Sequence, residues 1–182
     1  MIHNRELKNY YFIDDFNKDH IRSLNKNISI IYRNYSEKYN QEKILEIKKF
    51  CKKINKKFFL ANDVNLTDKL NLDGAYIPAF NNSLSVNKLK NKNMLLLGSA
   101  HNLKEICQKQ KQGINVIFLS PTFKVSKSNN FLGVAKFNLL SSLVGGKTIA
   151  LGGVNKNTIK QIKMLNCYGF ASISYIKENN IN

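Results

Sequence analysis

The sequence predicts an α/β fold, a single short (β/α)8 TIM barrel, on three observations. Short apolar, β-branched or aromatic runs alternate with amphipathic segments, the sign of a parallel sheet with crossover helices. Eight such runs fall within 182 residues, which favours a closed barrel over an open sheet of five or six strands. Polar residues cluster directly after the runs, at the strand ends where such barrels gather their chemistry.

The first strand is predicted over Tyr10–Ile13, and the polar stretch Asn17 to Asn27 leaves room for only a short first helix. Ser29–Arg33 is the second strand. In Glu42–Ile54, the residues Ile44, Leu45, Ile47, Phe50, Cys51 and Ile54 recur at three-to-four spacing with lysines pointing away, which predicts a helix. Phe58–Ala61 and Gly74–Ile77 are the third and fourth strands, with a short helical segment Asn65–Leu70 between them. Met94–Ser99 follows, then a helix over Leu103–Lys111 opened by Asn102 as N-cap. Val116–Leu119 leads into the longest polar loop, Ser120 to Gly133, and Lys136–Leu143 reads as helix. Thr148–Leu151, a helix over Asn157–Leu165 capped by Asn155 or Asn157, and the strand Gly169–Ser174 complete the pattern. Only about eight residues follow, so the closing helix is absent or a stub, and the tail from Lys177 is expected to fray.

Length and composition suit one domain over residues 1–182. No run approaches the roughly 20 apolar residues of a membrane span, and the polar start Met1 to Lys8 lacks the features of a signal peptide. A cytoplasmic protein is expected. Cys51, Cys107 and Cys167 are widely spaced, without ligand or disulfide patterning, and read as buried or partly buried thiols. Lys and Arg number 29 against 12 Asp and Glu, a net charge of +17 that is also the footprint of a nucleic-acid binder. Only Arg5, Arg22 and Arg33 are arginines, the residue favoured for bidentate phosphate and base contacts. The lysines disperse through Lys48-Lys49, Lys52-Lys53, Lys56-Lys57, Lys88 to Lys92 and Lys109 to Lys111, and read as a solvated coat on helix exteriors. Nucleic acid is therefore not the expected partner.

The strand ends present Asp14-Asp15, Arg33-Asn34, Asn62-Asp63, Asn81-Asn82, Ser99 with His101, Ser120-Pro121-Thr122, Gly152-Gly153 and Ser174. One arginine among hydroxyls, amides and a carboxylate suits an anionic ligand. Gly152-Gly153 after the seventh strand fits a phosphate loop, where glycine lets backbone N–H groups approach the ligand, or simply a turn requiring positive φ. Asp63 suits a Mg²⁺ held largely through water and substrate phosphates, or the N-cap of the following helix. His101 is placed for acid–base work, or for capping and packing. Lys124 and Lys127, in the long loop, could close over a diphosphate.

These strand ends resemble the thiamine-phosphate synthase/TenI family over about Tyr10 to Ile176. Asn62-Asp63 with Gly74-Ala75-Tyr76-Ile77 is similar to the family's Asn-Asp and Gly-Val-His-Leu elements, and Ser99-Ala100-His101-Asn102 to its Ser-x-His-Asn/Ser. Ser120-Pro121-Thr122-Phe123 resembles Gly-Pro-Val-Phe, Leu132-Gly133 the Leu-Gly that closes the diphosphate loop, and Gly152-Gly153 and Ile173-Ser174 the phosphate-site strands. The resemblance implies thiamine biosynthesis: hydroxymethylpyrimidine diphosphate joined to thiazole phosphate by a dissociative course, with diphosphate leaving under Mg²⁺ and cationic side chains. Carried over, Arg33 and Asn62 contact the diphosphate, Asp63 holds Mg²⁺ and Ser99 touches the diphosphate or pyrimidine region. Gly153, Ile173 and Ser174 bind the thiazole phosphate, and Lys127 is the loop lysine.

The sequence departs from the family pattern in three places. Gln-x-Arg-x-Lys reads Ile31-Tyr32-Arg33-Asn34-Tyr35, losing the glutamine and the lysine. The second Mg²⁺ aspartate is replaced within Pro78-Ala79-Phe80-Asn81, where Asn81 would be a neutral ligand, and the loop Lys124-Val125-Ser126-Lys127 is shortened. Three activities stay open: a divergent synthase, a TenI-like tautomerase with His101 as proton shuttle, or a silent barrel that binds a phosphorylated ligand. Oligomeric state is open too, a homodimer included.

Overall fold

The computed structural model describes residues 7–89, 94–126 and 128–179. Eight strands alternate with helical segments: β1 (Asn9–Ile13), α1 (Lys18–Ser23), β2 (Ile28–Tyr32), α2 (Gln41–Lys53), β3 (Phe58–Ala61), α3 (Val64–Lys69) and β4 (Gly74–Ile77). A 3₁₀ segment, Leu84–Leu89, leads to β5 (Leu95–Ala100), α4 (Leu103–Lys111), β6 (Val116–Leu119), α5 (Gly133–Leu143) and β7 (Lys147–Leu151). A second 3₁₀ segment, Ile159–Met164, then precedes β8 (Phe170–Ser172) and α6 (Ser174–Asn179). Every strand is parallel to its neighbour, and β8 returns to β1 through Tyr10↔Ala171 and Tyr11↔Ser172, closing the barrel.

Strands buried on both faces need apolar residues at both parities. In β6, Val116 and Phe118 point into the barrel while Ile117 and Leu119 face the helices, and all four are buried. The interior is a plug of aromatic rings packed edge to face: Tyr10 on Phe118 at 5.0 Å, Phe12 on Tyr76 at 5.0 Å and Tyr76 on Phe118 at 5.5 Å. Burial pushes the Tyr10 and Tyr76 phenols up to about 12. Among the described residues, no helix is long and apolar enough to cross a membrane.

The reduced first and last helices appear as the six-residue α1 and α6. Four expectations are corrected. The segment expected as a helix over Asn157–Leu165 is 3₁₀ over Ile159–Met164, held by i→i−3 bonds such as Gln161 N–H to Thr158 O at 2.9 Å. The eighth strand stops at Ser172 because the Ser172 hydroxyl accepts the Tyr175 N–H at 3.1 Å and starts α6, which takes in Ser174. The lysine coat is incomplete as well: Lys56 and Lys109 are buried, and so is Cys51, whereas Cys107 is exposed.

Candidate active site

Inward-facing side chains recur every second residue along a strand. Carried one step past the last inward residues, that alternation selects the mouth: Phe12 gives Asp14, Ile31 gives Arg33, Ala61 gives Asp63 and Phe118 gives Ser120. Leu151 gives Gly153 and Ala171 gives Ile173. The barrel therefore brings the strand-end residues of the first, second, third, sixth, seventh and eighth strands to one rim, and the sequence period could have found this set directly.

On the β2–β3 side, the Arg33 guanidinium lies over the Phe12 ring at 4.6 Å, while the Arg33 backbone N–H donates to Ile13 O at 2.7 Å. Its charge acts on the buried Tyr76 phenol, near which Ser99 is buried on β5. Asn62 takes a left-handed φ of 59° and accepts from Asn81 Nδ2 at 2.7 Å, so the β3 and β4 ends are joined. Asn81 Oδ1 in turn accepts the Ser83 N–H at 2.9 Å. Asp63 is the N-cap of α3, its Oδ1 accepting from Leu66 N–H at 2.8 Å. A cavity of about 400 Å³ here is lined by Asn34, Tyr35, Tyr39, Asn62, Asp63 and Phe80. Tyr35 and Phe80, about half and two-thirds exposed, pair at 5.9 Å across its edge; the sequence reading did not select them.

His101 is exposed beyond β5, and its Nδ1 lies 2.5 Å from Ser120 O. A carbonyl only accepts, so Nδ1 carries the hydrogen in the neutral ring and Nε2 is left as the basic nitrogen.

On the β7–β8 side, Gly152 and Gly153 have φ of 86° and 71°, which meets the turn requirement. A Cβ at Gly153 would lie 2.5 Å from Phe123 O, so the loop after β6 runs against it. That loop is stitched to β7 by Thr122 N–H to Leu151 O at 2.8 Å and Phe123 N–H to Gly152 O at 3.1 Å. Its far end is fastened by Gly133 N–H to Thr122 O at 2.9 Å. Lys124 is exposed on it, and Lys127 lies outside the described residues. Gly152 and Gly153 after β7 and Ile173 and Ser174 after β8 bring four backbone N–H groups to adjacent loops. Donors so placed suit an oxyanion.

Known proteins resemble this chain in sequence and in fold. A family model described as thiamine monophosphate synthase matches residues 22–176. The putative thiamine-phosphate synthase 2 of Aquifex aeolicus is 29% identical over 135 residues, covering 73% of each chain. A thiamine-phosphate synthase of Prochlorococcus marinus subsp. pastoris is 27% identical over 165 residues, 85% of this chain but only 47% of that one. The chain thus spans about half the length of that relative. Among solved structures, a thiamine phosphate pyrophosphorylase from Pyrococcus furiosus superposes with a TM-score of 0.78 at 19% identity, covering 95% of this chain and 88% of that one. With most of its length matched by the family model and the barrel shared, the chain belongs to the thiamine monophosphate synthase family.

Proposed function

We propose that the chain is a cytoplasmic thiamine-phosphate synthase-like transferase, coupling hydroxymethylpyrimidine diphosphate with thiazole phosphate and releasing diphosphate. The observation that carries this reading is the presence of two candidate anion-binding arrangements at one mouth, flanking β1 on its two sides. Arg33 stands on the β2 side, and the backbone N–H groups of Gly152, Gly153, Ile173 and Ser174 on the β7–β8 side. Joining two phosphorylated substrates requires two such places, whereas isomerising one requires one.

Breaking the bond to diphosphate builds negative charge on the leaving group, so preorganised positive charge is the main demand. Arg33 supplies it without reorganisation because the Phe12 ring already holds it. Asn62 orients a diphosphate oxygen beside it, and the Ser99–Tyr76 pair forms the polar floor under the pyrimidine. The β7–β8 backbone N–H groups fix the thiazole phosphate and with it the nucleophilic ring nitrogen.

Among the described residues no three His, Cys, Asp or Glu converge as a metal cage. A Mg²⁺ that relies on one carboxylate and on substrate oxygens still fits, with Asp63 as the protein ligand. Asn81 Oδ1 accepts the Ser83 N–H with one lone pair and would offer the ion its other. When bound, Mg²⁺ would neutralise the departing diphosphate.

The test is thiamine phosphate formation by the purified chain with both substrates, in Mg²⁺ and then in chelator. Mg²⁺-dependent product is expected, with Arg33→Ala and Asp63→Ala each lowering kcat by about 100-fold. A second reading, the TenI-like tautomerase, is favoured by the His101 tautomer, which leaves Nε2 free to shuttle a proton. Absent product, chelator-insensitive tautomerisation abolished by His101→Ala would establish that reading. Binding of thiazole phosphate with neither reaction would leave a silent barrel.

A further inference from the structure

We propose that Lys109, acting with Gln108 and Gln112 of the α4 turn, is the positioning device of the mouth loop after β4 and thereby of Asn81 against Asn62. The carbonyls of that loop are taken up by α4 side chains. Lys109 Nζ donates to Pro78 O at 2.7 Å, Asn81 O at 2.8 Å and Gln112 Oε1 at 3.0 Å. Gln112 Nε2 donates to Asn81 O at 2.9 Å and Ser83 O at 2.8 Å, and Gln108 Nε2 to Asn82 O at 2.8 Å. Four loop carbonyls are thus held by three residues on one side of one helix.

A buried ammonium is costly unless all its protons find acceptors. Lys109 is 0% exposed and has three acceptors, none of them a carboxylate. It occupies a core-facing position of α4, one turn from buried Ile106, where packing alone would favour an apolar residue. Space for its stem is made by Gly98, where a Cβ would lie 3.2 Å from Lys109 Cδ. The order so imposed passes through Asn81 Nδ2 to Asn62 Oδ1, and Asn62 precedes Asp63. Lys109 touches no substrate; it acts through Asn81. Its meaning for catalysis rests on the synthase reading, while its hold on the loop does not.

Glu105, one turn earlier on α4, is the charged group acting on the ammonium, and the β4 loop and β5 present only carbonyls and Gly98. Burial draws the Lys109 pKa down to about 8.

The experiment is hydrogen–deuterium exchange of the full chain, read by mass spectrometry, together with steady-state kinetics. In Lys109→Met the peptide covering residues 78–85 should exchange about tenfold faster, with β5 and β6 unchanged. The KM for pyrimidine diphosphate should rise about tenfold, and that for thiazole phosphate should stay within about twofold. Gln112→Leu, which keeps the ammonium, should shift the same peptide in the same direction and covers a Met variant that fails to fold. Unchanged loop exchange in both variants overturns the proposal. Acceleration spread evenly over β5 and β6 does so too, leaving Lys109 a packing role, and so does a faster loop with an unchanged pyrimidine KM. A wild-type chain that makes no thiamine phosphate refutes the synthase reading, while loop exchange still decides this one.

Discussion

Arg33 is legible in the sequence because it ends an apolar run and is one of three arginines in a chain of lysines. Asp63 was readable as either metal ligand or helix cap, and the geometry shows the cap without removing its free oxygen from the mouth. Lys109 was not legible. It stands in the run Lys109 to Lys111, whose composition reads as solvent-facing, and only the loop carbonyls folded over it give the ammonium a reason to be inside. Its buried state has a consequence for stability. Because the folded pKa is drawn down to about 8, from 10.5, the unfolded chain binds more protons between those values. This residue's own contribution to stability is therefore smallest below pH 8 and grows as pH rises towards the unfolded value. Urea unfolding should show the free-energy difference between wild type and Lys109→Met moving in favour of wild type between about pH 7 and 9.5. A difference that is flat or moves the other way would mean that the buried amine keeps its ordinary affinity for protons.

The helices with clear three-to-four spacing were readable to within a residue or two: α2 runs Gln41–Lys53 where the pattern suggested Glu42–Ile54. The segment after β7 was not, because its apolar spacing resembles a helix while Asn155 takes the N–H groups of Asn157 and Thr158 and sets a tight turn instead. At α4 the cap is closed on both sides. Asn102 Oδ1 accepts from Glu105 N–H at 3.0 Å, and Glu105 Oε2 accepts from His101 N–H at 2.8 Å. One short stretch thus starts the helix that carries Lys109 and fixes the backbone of His101. Asn102→Ala should lower stability by about 1 kcal/mol in urea unfolding. No measurable change would show that water replaces the cap at no cost.

For the whole molecule, alternating runs made the barrel legible, but they could not say what fills it. Parallel strands buried on both faces look alike in sequence, and only closure shows which parity meets inside. That interior is aromatic, and Phe118 is its hub, touching Tyr10, Phe12 and Tyr76 while fully buried. Phe118→Ala should cost about 3–5 kcal/mol in calorimetric or urea unfolding, because rings locked edge to face cannot collapse into the space. A loss below about 1 kcal/mol would mean that the plug repacks freely. The three ion pairs among the described residues, Lys18–Glu46, Arg22–Asp19 and Lys43–Asp15, are all at the surface and add little. The same aromatic plug gives the molecule an optical gauge of its own. The chain has no tryptophan, so its ultraviolet emission comes from eight tyrosines, and two of them, Tyr10 and Tyr76, are sealed among the rings of the barrel axis. Light from that pair reports the closed cylinder itself, from within and without a label.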